Sequence, residues 1–164
     1  NYTIPLSCAE TLIPGSDPTL LMWGTPDYHC ESPIQLLNSP PPSFWKEGLS
    51  PLTYNTSLAP LIPLFLRSAK IELIDLRTRL QWDMEAVVES VHRTKRLVIV
   101  HEAGMTGGVG GEIAADVSKR AFLRLEAPVR GIAGWGIPVA LQFEKFNMPD
   151  EIRILDGIVG TLSY

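Results

Sequence analysis

The 164 residues are 45% hydrophobic and 20% charged, which is enough apolar material for one core and too short a chain for two. A net charge of −4 and a pI near 5.4 leave no basic field to attract nucleic acid or anionic lipid, and no apolar run approaches the ~20 residues of a membrane span. Cys8 and Cys30 are too few and too far apart for a zinc or redox motif, and His29, His92 and His101 lack metal-ligand spacing, so no metal site is expected. Asn1 to Glu10 has neither the basic start nor the apolar stretch of a cleavable signal.

Along the chain the pattern alternates strand and helix. Thr19 to Gly24 is the first predicted strand. Pro26 to Ala69 should supply a crossover helix but holds eight of the fourteen prolines, and proline removes a donor and clashes with the preceding turn, so no long helix is expected there. Within it, residues 43–57 (SFWKEGLSPLTYNTS) have no clear period and read as an atypical insertion in one domain spanning 1–164. Ile71 to Leu76 is the second strand.

A helix should start near Asp83, a good cap residue, with Met84, Val87, Val88 and Val91 on one face. His92, Arg93, Lys95 and Arg96 then fall at its C-terminal turn, where positive charge is favoured. Leu97 to Val100 is a short continuous apolar run, as in a strand buried on both faces. A fourth strand is expected at Val129 to Ala133. In the last helix Pro149 should occupy the first turn beside Asp150 and Glu151, with Ile152, Leu155, Val159 and Leu162 as the core stripe. Gly157 and Gly160 inside that helix each cost about 1 kcal/mol relative to alanine unless neighbours press close. This alternation predicts a three-layer α/β/α fold on a mostly parallel sheet.

Between the Leu97 strand and the next helix lies HEAGMTGGVGGEIAADV (His101 to Val117), with five glycines. Unpaired amides at such a helix start can receive an anion. The dinucleotide fingerprint fails, however, because counting from Gly108 and Gly110 its third glycine falls on Ile113. The phosphate-loop motif fails for want of a Gly-Lys-Ser/Thr, and Glu112 puts a negative charge in the first turn. Gly107, Gly108, Gly110 and Gly111 are therefore expected to form a packing turn, with a nucleotide cradle as the alternative. His101 and Glu102 close the strand where ligands often gather. Their expected role is to fix the loop by hydrogen bonds. No residue order points to a nucleophile or a paired acid and base, so the chain's own catalytic, cofactor-binding and metal residues are expected to be none.

Five blocks in order resemble one family. They are IPLSCAETLIPGSDPTLLMWGT at residues 4–25, IELIDLRT at 71–78, the glycine segment at 101–117, FLRLEAP at 122–128 and FNMPDEIRILDGIVGTLSY at 146–164. Together they resemble the C-terminal, transketolase-like domain of the branched-chain 2-oxoacid dehydrogenase β subunit. The resemblance implies a segment internal to a longer subunit, with thiamine diphosphate bound outside this chain and none bound by the chain alone. It also implies assembly into an α2β2 heterotetramer with the α subunit and a second β subunit. A further implied partner is the subunit-binding domain of the lipoyl acyltransferase core, met by Glu126 of the LEAP block and the chain-end carboxylate of Tyr164. The expected compartment is the mitochondrial matrix in a eukaryote and the cytoplasm otherwise. Where relatives read Gly-aromatic-Asp-Thr-Pro, this chain reads Gly134-Trp135-Gly136-Ile137-Pro138, so the local turn is expected to rely on Gly136. The rival readings are a free-standing anion- or nucleotide-binding module using residues 107–111, and a non-catalytic interaction protein.

Overall fold

The computed structural model describes residues 3–38, 66 and 69–164. The expected insertion at 43–57 lies outside the described residues. Among these residues, five strands form one sheet in the order β1-β3-β2-β4-β5: β1 Glu10–Ile13, β2 Thr19–Met22, β3 Glu72–Asp75, β4 Leu97–Gly104 and β5 Arg130–Gly134. All pairs are parallel except β1 with β3, so the sheet is mostly parallel, as the alternation predicts. β1 is the strand that the sequence reading omits. It is an exposed edge strand with no alternating pattern, and its pairing to β3 supplies what its own residues do not signal.

Side chains alternate across the sheet and bury two cores. Leu20, Met22, Leu73, Val98, Val100 and Ile132 face α1 (Asp27–Asn38) and α5 (Glu151–Leu162). Leu21, Trp23, Ile74, Leu97 and Ile99 face α2 (Met84–Thr94) and α3 (Val109–Ala121). Helices on both faces make the expected three layers. Between β5 and α5 lie a 3-10 turn at Leu141–Phe143 and a single turn of helix, α4, at Glu144–Asn147.

Two expectations about helices need correction. A helix does form after Pro26: α1 runs for twelve residues with Pro33 inside it. A proline costs a helix interior about 3 kcal/mol. Burial of Cys30, Pro33, Ile34, Leu36 and Leu37 offsets this, since each large apolar side chain fully buried contributes about 1.5–3 kcal/mol. Asn38 then anchors the helix end, donating to the Ile71 carbonyl at 3.1 Å and accepting from the Ile71 amide at 2.7 Å. In α5 the core face is Ile154, Leu155, Gly157, Ile158 and Thr161, and Ile152 is exposed. Pro149 precedes the cap, Asp150, whose side chain accepts from the Arg153 amide. Of the expected stripe, Leu155 is buried and Val159 and Leu162 pack partly buried against the same core, so only Ile152 departs from it, and the two glycines admit close neighbours on the adjoining side. A Cβ at Gly157 would meet the Ile132 side chain, and one at Gly160 would sit 3.0 Å from the Arg130 guanidinium.

Elsewhere the local chemistry works as expected. Asp83 caps α2 by accepting from the Ala86 amide, a contribution of about 1 kcal/mol, and Lys95 ends it at φ 64°. Glu72, at the start of β3, is buried amid polar groups. It accepts from Ser90 and, at 2.7 Å, from the half-exposed Arg93, while Thr19 lies 2.6 Å from Ser90 and 2.7 Å from Thr94. This network ties α2 to the start of the sheet, since a buried carboxylate is tolerated only when its oxygens are bonded.

Candidate functional site

The connection from β2 leads by way of α1 to β3 on one side, whereas that from β4 leads through α3 to β5 on the other. Ligands of such sheets gather outside the carboxyl ends at this reversal, here β2 and β4. β4 is longer than the apolar run implied. It continues through His101 and Glu102 to Gly104, and its register with β5 slips between Val100 and Gly104. That irregularity carries His101 onto the end of β2, where its ring stacks on Trp23 with centroids 5.2 Å apart and planes 9° apart. His101 is 2% exposed. Burial pushes its pKa down, and the nearby Ala103 backbone opposes this by less.

The ring also meets the start of α3. A Cβ at Gly108 would lie 2.8 Å from His101 Cε1 and 2.7 Å from the Gly104 carbonyl, and one at Gly110 would lie 2.6 Å from His101 Cδ2. The close approach these two glycines permit is therefore to His101. Neither has positive φ. In this segment that falls to Gly107, at 76°, while Gly111 faces open space. Gly108 is the N-cap without a side-chain bond, and Gly110 and Gly111 lie in the first turn. His101 thus meets the segment chiefly by packing: its Nδ1 closes no hydrogen bond of normal geometry among the described residues, and the Ala103 backbone is the polar group that acts on the ring. Glu102 turns away, with Oε1 3.7 Å from the place of a Gly24 Cβ.

After β5 the turn does not rely on Gly136, whose φ is not positive. The Trp135 amide donates to Asn147 Oδ1 at 2.8 Å, and Arg153 donates to the Ala133 carbonyl at 2.7 Å. The Arg153 guanidinium also lies 4.2 Å over the Trp135 ring. Ile137, Leu141 and Phe146 of this segment are largely exposed, an apolar concentration beyond scattered surface residues.

Glu126 lies at the opposite end of the sheet, before β5. Its carboxylate receives Lys95 Nζ at 2.6 Å and Arg96 Nη1 at 3.1 Å, and its amide donates to the Lys95 carbonyl. The Lys95 hydrogen bond holds its carboxyl below the usual range, helped by the charges of Lys95 and Arg96 and opposed by desolvation. Beside it Ala114, Ala115 and Ser118 of α3 line a groove of about 600 Å³, closed by Phe122, Pro128 and Val129. Phe122 and Leu123 are exposed at its edge. Tyr164 is exposed beyond α5, which reaches the same end of the sheet, because Gly160 lies beside Arg130 at the start of β5. A larger groove, about 920 Å³, runs between Ile4, Leu6, the Arg77 to Trp82 loop and α3. The sequence reading did not identify it. Exposed Ile4, Leu6 and Leu80 line it, and Arg77 and Gln81 in its loop have positive φ.

No group of three or more His, Cys, Asp or Glu among the described residues converges to hold a metal ion. No chemical step is assigned to the described residues. No helix among them is long and apolar enough to cross a membrane.

The transketolase C-terminal domain family matches residues 65–154. Over all 164 residues the chain is 41% identical to 2-oxoisovalerate dehydrogenase subunit beta 2, mitochondrial, of Arabidopsis thaliana, covering 38% of that protein. It is 42% identical over 91% of its length to the mitochondrial 2-oxoisovalerate dehydrogenase subunit beta of Chaetomium thermophilum, covering 27% of it. The pyruvate dehydrogenase E1 component subunit beta of Leifsonia xyli matches at 32% identity over 94% of the chain and 49% of the relative. The chain therefore spans less than half the length of these relatives. Among solved structures, a split gene transketolase, an inactive β4 tetramer, matches 99% of the chain and 44% of its own at a TM-score of 0.68 and 15% identity, a likeness of fold.

Proposed function

The chain belongs to the transketolase C-terminal domain family, and from that premise we propose that it is the C-terminal assembly and docking domain of a branched-chain 2-oxoacid dehydrogenase β subunit. The observation that carries the reading is the 41% identity to a 2-oxoisovalerate dehydrogenase β subunit over the whole chain, above the 32% to a pyruvate dehydrogenase relative. As part of the α2β2 enzyme it supports the thiamine-diphosphate-dependent oxidative decarboxylation of 3-methyl-2-oxobutanoate and related acids, with the cofactor held by residues outside this chain. The mitochondrial names of the relatives support the matrix as its compartment in a eukaryote.

Glu126, Tyr164 and the groove beside Glu126 are the surface proposed to receive the acyltransferase's subunit-binding domain. Apolar walls next to a charged rim suit a contact that is steered electrostatically and released again. The exposed apolar segment from Trp135 to Phe146 is the corresponding candidate for contacts within the heterotetramer.

Substrate choice tests the reading. The whole β subunit containing this chain, assembled with its α subunit, is expected to show a higher kcat/KM for 3-methyl-2-oxobutanoate than for pyruvate. A preference for pyruvate overturns the branched-chain assignment.

A further inference from the structure

His101 is a buried titratable group that the assembly and docking role does not use. Its ring fills a slot, with Trp23 stacked on its face and the bare Cα positions of Gly108 and Gly110 against its Cε1–Nε2–Cδ2 edge, at 2% exposure. The slot is just large enough for the ring, because a Cβ at either glycine would collide with it. A proton added to that ring meets three obstacles. Nδ1 is buried with no hydrogen-bond partner of normal geometry among the described residues, and the Ala103 backbone, which favours the charged ring, is outweighed by burial. The ring faces the N-terminal end of α3, whose dipole is positive there and whose cap, Gly108, has no side-chain acceptor. Among the described residues no carboxylate forms an ion pair with the ring: Glu102, next to it on β4, has Oε1 3.7 Å from the place of a Cβ at Gly24, beyond the end of β2, and Glu112 lies in the first turn of α3.

We propose that His101 is an acid-sensitive latch: the neutral ring holds the first turn of α3 against the ends of β2 and β4, and protonation expels the ring and frees that turn. The same turn walls the large groove through Val109 and Glu112, so acidification loosens the groove as well. The sign follows from linkage. Burial lowers the folded pKa below the unfolded value of about 6.5, so the unfolded chain binds the proton more readily. The latch therefore stabilises fully above pH ~6.5 and is lost as pH falls from there through the folded value.

The test follows two signals in the 164-residue chain between pH 7.5 and 5.0. One is the NMR titration of His101. The other is hydrogen exchange, corrected for intrinsic rate, of amides 113–116, whose helical acceptors are the carbonyls of the first turn. His101 is expected to titrate below 6.5, with protection of those amides falling about tenfold over the same range. His101→Asn and His101→Phe are expected to abolish the pH dependence of that protection. A His101 pKa at or above 6.5 overturns the proposal, as does the same loss of protection in either variant. Should neither variant fold, the parent's two midpoints decide: coincidence supports the latch, and separation overturns it.

Discussion

Replacing Gly110 with alanine sets two known effects against each other at one atom. In the interior of a helix the change should stabilise by about 0.8–1 kcal/mol through propensity alone. Here the new methyl would lie 2.6 Å from His101 Cδ2 and closer still to Nε2, and the ring, 2% exposed and stacked on Trp23, has little room to shift. Overpacking of this kind costs about 1–3 kcal/mol, so the net expectation is a loss of about 1 kcal/mol. For a domain of this size that lowers the melting temperature by about 2–4 °C. The decisive step is to repeat the change in a His101→Ala background. With the ring gone, only the propensity term remains, and Gly110→Ala should raise the melting temperature by about 2–4 °C. Thermal melts of the four proteins by circular dichroism read the cycle. A Gly110→Ala effect of the same sign in both backgrounds would refute the claim that this glycine exists to admit the imidazole.

Other substitutions probe the same reasoning elsewhere. Gly111→Ala should stabilise by about 0.5–1 kcal/mol because nothing lies within 4 Å of the new methyl, whereas Gly157→Ala should destabilise by about 1 kcal/mol through its collision with Ile132. Urea titration of each checks the opposite signs. Glu72→Ala leaves Ser90 without its acceptor and Arg93 without its buried partner, and should cost about 2 kcal/mol by the same assay, below the usual range for a broken buried pair because Arg93 is half-exposed. A cost under about 0.5 kcal/mol would show that the network does not tie α2 to the sheet.

What the sequence revealed and concealed has physical reasons. β2, β3 and the first half of β4 were legible because strands buried on both faces read as apolar runs, β5 was legible by its place in the alternation, and Asp83 was legible because a cap acts through its own side chain. β1 was hidden, since Glu10 to Ile13 is an exposed edge whose order comes from β3. α1 was hidden by Pro33, whose local cost is offset by burial that only the fold supplies. In α5 Leu155, Val159 and Leu162 were legible from their spacing, whereas the side pressed against β5 is marked by Gly157, which carries no apolar side chain to count. The glycines at 108 and 110 announced a close approach, but nothing in the chain order told that the approaching group was a histidine of the preceding strand. Glu126 was legible as an exposed acid, and its pairing with Lys95 and Arg96, far away in sequence, was not.

The most direct test of the proposed role titrates the whole β subunit, assembled with its α partner, against the isolated subunit-binding domain of the acyltransferase. Isothermal calorimetry would compare the parent with Glu126→Gln and with a Phe122→Ser variant in the adjoining groove, at two salt concentrations. The account predicts about tenfold weaker binding for Glu126→Gln at low salt, a difference that shrinks as salt screens the contact, and weaker binding at both salts for Phe122→Ser. Affinity unchanged in both variants would contradict it and remove this end of the sheet from the docking surface.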